Sequence, residues 1–182
     1  MKDLSLHVLD IVQNALAAGA EQVRILVEES VPRNCLVIAV EDNGKGMSQD
    51  VLDRVTDPYF TTRTTRKVGL GIPLLKQNAE QCGGGLLIES APGRGTRLVA
   101  EFVRDHIDRP ALGDMPGVVA MLSGINQDRD FIYHHRVDER DYCFDTREVK
   151  QILEGVPLGE ASVMRSIREM IGENLKDLEK AE

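Results

Sequence analysis

The chain has 182 residues, 42% of them hydrophobic, and a formal net charge of −8 at pH 7. That length accommodates one full domain and a small second segment. The negative charge argues against nucleic acid as the main partner, because phosphate binding requires a basic surface. The three cysteines, Cys35, Cys82 and Cys143, are far apart and indicate neither a disulfide framework nor a metal site. No apolar run is long enough to cross a membrane and no signal-peptide pattern opens the chain, so we expect a cytoplasmic protein without a membrane partner.

The first predicted element is an amphipathic helix. Apolar residues recur at helical spacing over residues 4–16. Asp3 and His7 lie on the polar side of this helix, and we expect both to face solvent. Asp10 and Asn14 lie one turn apart at the border of the apolar face. A half-buried carboxylate and amide in this arrangement could hold a metal ion and orient a water molecule.

Two predicted strands and a glycine-rich loop follow. The strands are residues 20–29 and 35–41, and the second ends at an acidic residue, Asp42. Gly44 and Gly46 come next, and glycine lets the backbone turn sharply and lets a ligand approach closely. Asp42 could therefore stand at the mouth of a pocket and accept a hydrogen bond from an exocyclic amine. Taken alone, the D-x-G-x-G pattern is more typical of an ordinary turn.

The next motif combines a polar loop with a second pair of glycines. Residues 57–67 contain four threonines and three basic residues with little regular pattern, which predicts a mobile loop or a simple linker. The loop runs into Gly69 and Gly71, which open a predicted helix. Bare N–H groups and the positive end of the helix dipole favour an anion at such a position. Arg63 and Lys67 add local positive charge in an otherwise acidic chain.

Two more strands, 86–91 and 96–103, complete the first predicted domain, and a turn that could be an ordinary hairpin joins them. Residues 105–113 are predicted to be a linker. The last segment, 114–182, is predicted to be a small α+β appendage that packs on the first domain or offers a partner or dimer surface. Its expected elements are a helix over 116–123, strands over 131–137 and 142–144, and helices over 148–154 and 160–178.

Two adjacent histidines in this appendage could suggest a metal site or a phosphoacceptor. His134 and His135 lie in a predicted strand, where neighbouring side chains point to opposite faces. They are therefore a poor chelating pair, and we expect a solvated or packed structural role.

The order and spacing of the motifs resemble the nucleotide-binding domain of the GHKL, or Bergerat-fold, superfamily of histidine kinases, type II topoisomerases, heat-shock chaperones and mismatch-repair ATPases. The matching stretches are residues 10–14 (N box), 42–46 (first glycine box), 58–62 (histidine-kinase F box), 69–72 (second glycine box) and 93–96 (last box). The resemblance covers residues 1–104. It implies an α/β two-layer sandwich, in which a mixed, mostly antiparallel sheet carries helices on one face.

The resemblance also implies ATP and Mg²⁺ as cofactors. Asp42 would bind the adenine amino group with help from Thr96, and Asn14 would ligate the Mg²⁺ that bridges the phosphates. The other nucleotide-binding residues that it implies are Gly44, Gly46 and Met47 in the first glycine box, Thr61 and Thr62 in an ATP lid, and Gly69, Leu70 and Gly71 beside the phosphates.

Three residues are catalytic candidates under the same resemblance. Arg63 and Lys67 in the lid could reach the terminal phosphate. Asp10 stands where many relatives have a glutamate general base and where histidine kinases often have asparagine. Aspartate is one methylene shorter than glutamate, which limits its reach to an attacking water.

The implied activity is transfer of the ATP γ-phosphoryl group to an unidentified partner protein, as in histidine kinases, or to water. The dimerising hairpin with the phosphoacceptor histidine is not found ahead of the first helix, and neither is the family's usual first strand. We therefore expect an open sheet edge, which could recruit a second copy into a homodimer. The alternatives are a nucleotide-sensing interaction module without turnover and a degenerate member that binds nothing.

Overall fold

The computed structural model of the chain describes residues 3–57 and 71–180. The elements in chain order are α1 (Leu4–Ala17), β1 (Gln22–Ser30), β2 (Cys35–Asp42), α2 (Gln49–Leu52), α3 (Gly71–Gln81), β3 (Gly85–Ala91), β4 (Gly95–Val103), α4 (Met115–Ile125), β5 (Asp130–Val137), β6 (Arg140–Asp145), α5 (Thr146–Ile152) and α6 (Ala161–Glu179).

The six strands form one sheet in the order β3-β4-β2-β1-β5-β6. Neighbouring strands run antiparallel except β1 and β5, which run parallel. One row of paired residues crosses the sheet beneath the helices and supplies much of the core: Leu98, Val40, Ile25, Tyr133 and Phe144, all at most 2% exposed. The predicted two-layer sandwich with a mixed, mostly antiparallel sheet is confirmed.

Helix α1 lies at the centre of the helical layer, between α3 and α4. Asp3 caps its N-terminus, where the carboxylate Oδ1 accepts a hydrogen bond from the Leu6 N–H at 3.1 Å. The expectation that His7 faces solvent is wrong, since its side chain is only 1% exposed. The physical reason is that α3 packs along this side of α1 and supplies hydrogen-bond partners for the imidazole.

The segment after residue 104 continues the same sheet and the same core. Strand β5 pairs with β1 over its whole length, from Gln22↔Asp130 to Glu29↔Val137. Helix α4 packs against α1, and α6 packs against α4. The division of the chain at residue 104 stays a prediction, but the two parts share one hydrophobic cluster.

The expected open edge does not lie at β1, because β5 covers it; within residues 3–57 and 71–180 the outermost strands are β3 and β6. The two histidines of β5 point to opposite faces, as predicted. His135 is buried between the Tyr133 hydroxyl, 2.7 Å from its Nδ1, and Glu29, 3.5 Å from its Nε2, whereas His134 is partly exposed beside Asp141.

Candidate functional site

Asp42 is the last residue of β2, and it pairs across the sheet with Thr96 at the start of β4. Its carboxylate is half-buried, and Oδ1 accepts a hydrogen bond from the Gly44 N–H at 2.8 Å. Burial raises the pKa of this carboxyl group above its usual value, and hydrogen bonds from the backbone of Gly44 and Thr96 offset part of that increase. The result is an acceptor held in a fixed direction at the end of the sheet.

Ser90 joins the Asp42 loop to Thr96. Its hydroxyl donates to the Gly95 carbonyl at 2.8 Å and accepts from the Met47 N–H at 2.9 Å. The Thr96 hydroxyl lies 2.9 Å from Ser90 Oγ. Because a serine hydroxyl has one proton, and here it goes to Gly95, Thr96 is the donor in this pair. The sequence analysis missed Ser90, which is a single polar residue in an ordinary strand pattern.

The loop after Asp42 is fixed by further hydrogen bonds on both sides. Asn43 Oδ1 accepts from the N–H groups of Glu21 and Gln22, at 2.8 and 2.9 Å. Lys45 donates its N–H to the Ala18 carbonyl, 2.9 Å away at the end of α1. Asn43 was also missed, because nothing in its spacing distinguishes it from any turn asparagine. These contacts join the glycine loop to α1 and to the start of β1.

Gly46 occupies a position that no other residue fits. Its φ of +67° lies in the left-handed region, and a Cβ atom there would lie 2.0 Å from the carbonyl oxygen of Ala91. The loop and the β3–β4 turn are therefore in direct backbone contact at Gly46.

Replacing Gly46 by alanine should displace this loop, weaken nucleotide binding at least tenfold and destabilise the fold by about 2–3 kcal/mol, since both the left-handed backbone and the overlap oppose a side chain. Gly93 is the matched control: its φ is +75°, but a Cβ atom there would meet nothing within 4 Å. Gly93→Ala should cost only about 1 kcal/mol. Thermal melting and ATP titration of both variants check the difference, and equal losses would contradict the role given to the Ala91 contact.

The second part of the site lies where α1 meets the start of α3. Asp10 and Asn14 are both half-buried on α1. A Cβ atom on Gly71 would lie 1.8 Å from Asp10 Oδ2, so the carboxylate lies directly against the first residue of α3. An acidic group therefore stands beside the helix end that electrostatically favours anions.

The remaining predicted site residues belong to the predicted lid and to the second glycine box. The predicted lid and most of the second glycine box lie outside the described residues. The site residues concerned are Thr61, Thr62, Arg63, Lys67, Gly69 and Leu70. Of that box, only Gly71 and the residues after it are described. The roles of all these residues stay predictions.

The donor set around α1 suits Mg²⁺ chemically, since Asn14 and Asp10 offer amide and carboxylate oxygens from a half-buried surface. Within the described ranges, no group of three or more histidine, cysteine or acidic side chains could hold a metal ion by itself. Mg²⁺ at nucleotide sites is commonly held by one or two protein oxygens together with phosphates. Asn14 would be the protein ligand in such an arrangement.

The fold and this cluster define a two-layer ATPase-type domain. Asp42 lies at the end of strand β2, and the half-buried polar residues Asp10 and Asn14 lie on helix α1. Residues 2–106 match the family described as "Histidine kinase-, DNA gyrase B-, and HSP90-like ATPase". The chain belongs to this family, and its matched part is a histidine-kinase-like ATPase domain.

Curated relatives match about half of the chain. The chain is 40% identical over 90 residues to the sensor protein kinase FleS of Pseudomonas aeruginosa, which covers 49% of this chain and 22% of FleS. It is 35% identical over 88 residues to the sensor histidine kinase ZraS of Escherichia coli K12, which covers 48% of this chain and 19% of ZraS. The similarity therefore spans less than a quarter of each of these relatives.

Solved structures support the fold. The Aquifex aeolicus MutL ATPase domain complexed with ADP matches with a TM-score of 0.52 and 14% identity, over 85% of this chain and 70% of that one. The N-terminal domain of a DNA repair protein matches with a TM-score of 0.58 and 15% identity, over 79% of this chain and 52% of that one. Among the helices that the structure describes, none is long and apolar enough to cross a membrane.

Proposed function

We propose that this protein binds Mg·ATP and transfers the γ-phosphoryl group to a partner protein or to water. The observation that carries the proposal is the half-buried carboxylate of Asp42, which is fixed by the Gly44 N–H and lies on the residue paired with Thr96. The glycine loop after it is held against the Ala91 carbonyl at Gly46. A half-buried acceptor at the edge of a polar cluster suits an exocyclic amine such as that of adenine. The ADP complex of the similar MutL domain supports a nucleotide in this fold.

The chemistry would depend on positioning and charge neutralisation, as phosphoryl transfer generally does. Asn14 would help to hold Mg²⁺, which would neutralise negative charge on the phosphates, and the start of α3 would face the phosphate chain. Asp10 would orient the attacking group, and Arg63 and Lys67 would neutralise the terminal phosphate.

A second function is favoured by one specific observation. Asp10 is shorter than glutamate and lies against Gly71 at the start of α3, which limits its reach towards an attacking water. The protein would then act as a nucleotide sensor, in which ATP orders the lid and changes a partner surface without turnover. A homodimer or a partner bound through α6 would fit either function.

The test follows labelled γ-phosphate when the pure protein is incubated with Mg·ATP. Free phosphate would identify an ATPase, acid-labile label on the protein a histidine-kinase reaction, and acid-stable label transfer to serine or threonine. Binding without turnover would favour the sensor.

The side-chain roles are tested by variants of α1. Asn14→Ala should abolish the Mg²⁺ dependence of ATP binding, whereas Asp10→Ala should lower turnover by about a hundredfold or more if Asp10 is the base. Turnover unchanged by Asp10→Ala would exclude it as the base, and a wild-type protein that binds no ATP would overturn the proposed function.

A further inference from the structure

His7 is a buried polar residue of α1 that the proposed chemistry leaves without a role. Its side chain is 1% exposed. The ring touches α3 at two points: Nδ1 lies 3.4 Å from the Gly71 carbonyl oxygen, and Nε2 lies 3.2 Å from the Asn78 side-chain nitrogen. The His7 imidazole on α1 therefore contacts both the first residue and the middle of α3.

The partners define which ring nitrogen carries the proton. The amide nitrogen of Asn78 can only donate, so Nε2 accepts and is unprotonated. The proton is then on Nδ1, where it points to the Gly71 carbonyl, which can only accept. The ring is neutral in this arrangement, and burial lowers the pKa of His7, which favours the same form.

His7 and Asp10 are three residues apart and so lie on one face of α1. Both contact Gly71: His7 through the carbonyl oxygen and Asp10 against the α-carbon. Two neighbouring side chains of α1 thus contact the start of α3. A change at His7 would move Gly71 relative to Asp10 and to the helix face that carries Asn14.

We infer that His7, together with Asn78, is a positioning residue that sets where α3 begins relative to α1 and thereby aligns the phosphate end of the nucleotide site. The inference rests on the proposed function, because it concerns the phosphate chain of ATP. Binding of the adenine base should not depend on His7, because Asp42 is fixed by Gly44 and by β4 rather than by α3.

A purely structural role for His7 would have a different signature. Loss of packing would lower the free energy of unfolding and would weaken the binding of ATP and of adenosine alike. Loss of positioning should weaken binding in proportion to the phosphates present, so adenosine, which has none, serves as an internal reference.

The experiment measures the affinity of the whole chain for ATP and for adenosine, with Mg²⁺ present, in wild type and in His7→Leu, which removes both hydrogen bonds at similar volume. ATP should bind at least tenfold more weakly, and adenosine should change less than twofold. His7→Asn is the conservative variant, because its amide nitrogen can still donate towards Gly71. It should recover most of the ATP affinity.

Asn78→Leu provides a second route if His7→Leu does not fold, since Asn78 is only half-buried. It removes the Nε2 contact alone and should lower ATP affinity about threefold without affecting adenosine. Equal losses for both ligands, or none for either, would overturn the inference while leaving the proposed function intact. A wild-type protein that binds neither ligand would overturn both.

Discussion

Replacing Asp42 by asparagine should weaken ATP binding by about a hundredfold. A hydrogen bond to a charged group contributes about 1.5–3 kcal/mol, and the substitution leaves either the Gly44 N–H or the amine of the ligand without an acceptor. The substitution preserves the shape of the side chain and changes only its charge and one acceptor atom. Titration calorimetry with Mg·ATP measures the loss directly.

The geometry explains why so small a change should have so large an effect. Both carboxylate oxygens of Asp42 accept hydrogen bonds, whereas one atom of an asparagine amide is a donor. If the amide nitrogen takes the place of Oδ1, it opposes the Gly44 N–H, which now donates to that oxygen at 2.8 Å. If it takes the other place, it opposes an amine of the ligand. Neither orientation satisfies both partners.

The matched control is Glu41→Gln, one residue earlier on the same strand. Glu41 is exposed on the other face of β2, so this variant removes the same charge without removing any hydrogen bond of the cluster. Its ATP affinity should stay within about twofold of wild type, since exposed charges contribute little. Near-normal affinity in Asp42→Asn would contradict the proposed adenine contact.

The Asp42→Asn variant should lose affinity for ATP without losing much stability. The pKa of Asp42 is raised by burial, so the charged form is disfavoured in the folded state. Above the raised pKa this charge opposes folding, and removing it should therefore not lower the melting temperature of the nucleotide-free protein by much. A large fall in melting temperature would mean that the lost affinity reflects unfolding.

Local sequence patterns predicted the elements of this protein well, because helices and strands follow from the spacing of apolar residues. The helical repeat of residues 4–16 predicted α1, which ends at Ala17. The helix predicted over 116–123 is present as α4, and Asp114 caps its N-terminus. Several end points differ by one or two residues: the helix predicted over 148–154 is α5 (Thr146–Ile152), and the strand predicted over 142–144 is β6 (Arg140–Asp145). Helix α4 continues to Ile125, past the glycine at position 124, because packing of the helix outweighs the modest cost of a glycine in it.

The pairing of elements could not be predicted from local patterns. The parallel pairing of β1 with β5 joins residues more than 100 positions apart, and no periodicity within either strand encodes it. His7 shows the same limit at one residue: its helical position was right, but its burial depends on α3, which is distant in the sequence. The hydrogen bonds of Ser90 and Asn43 could not be predicted either, because the fold brings their partners together.

A chain that ends at residue 104 should lose its cooperative unfolding transition, although the family match ends near that point, at residue 106. Strand β1 would lose its pairing with β5, and its buried side chains would lose their cover. Phe131 and Tyr133, at most 1% exposed, pair with Val23 and Ile25. Loss of such contacts costs about 2–5 kcal/mol for each large side chain, which is comparable with the ~5–15 kcal/mol that stabilises a domain.

The polar part of the same interface should add to the loss. Glu29, on β1, lies between His135, at 3.5 Å from Oε1, and Arg104, at 3.3 Å from Oε2. His135, by its hydrogen bond, and then Arg104 hold the pKa of Glu29 below its usual value. Without residues 105–182, this carboxylate would keep only Arg104, at the very end of the shortened chain.

Circular dichroism melting and size exclusion of the shortened and full chains measure the effect, with His134→Ala in the full chain as the control for β5. His134 lies on the outer face of that strand and is partly exposed, so its loss should change the unfolding free energy by less than about 1 kcal/mol. A shortened chain that melts cooperatively near the temperature of the full one would support the predicted division at residue 104. Aggregation or broad, non-cooperative melting would mean that β5 and the helices after it are part of the ATPase fold itself, because β1 cannot be an exposed edge with an uncovered hydrophobic face.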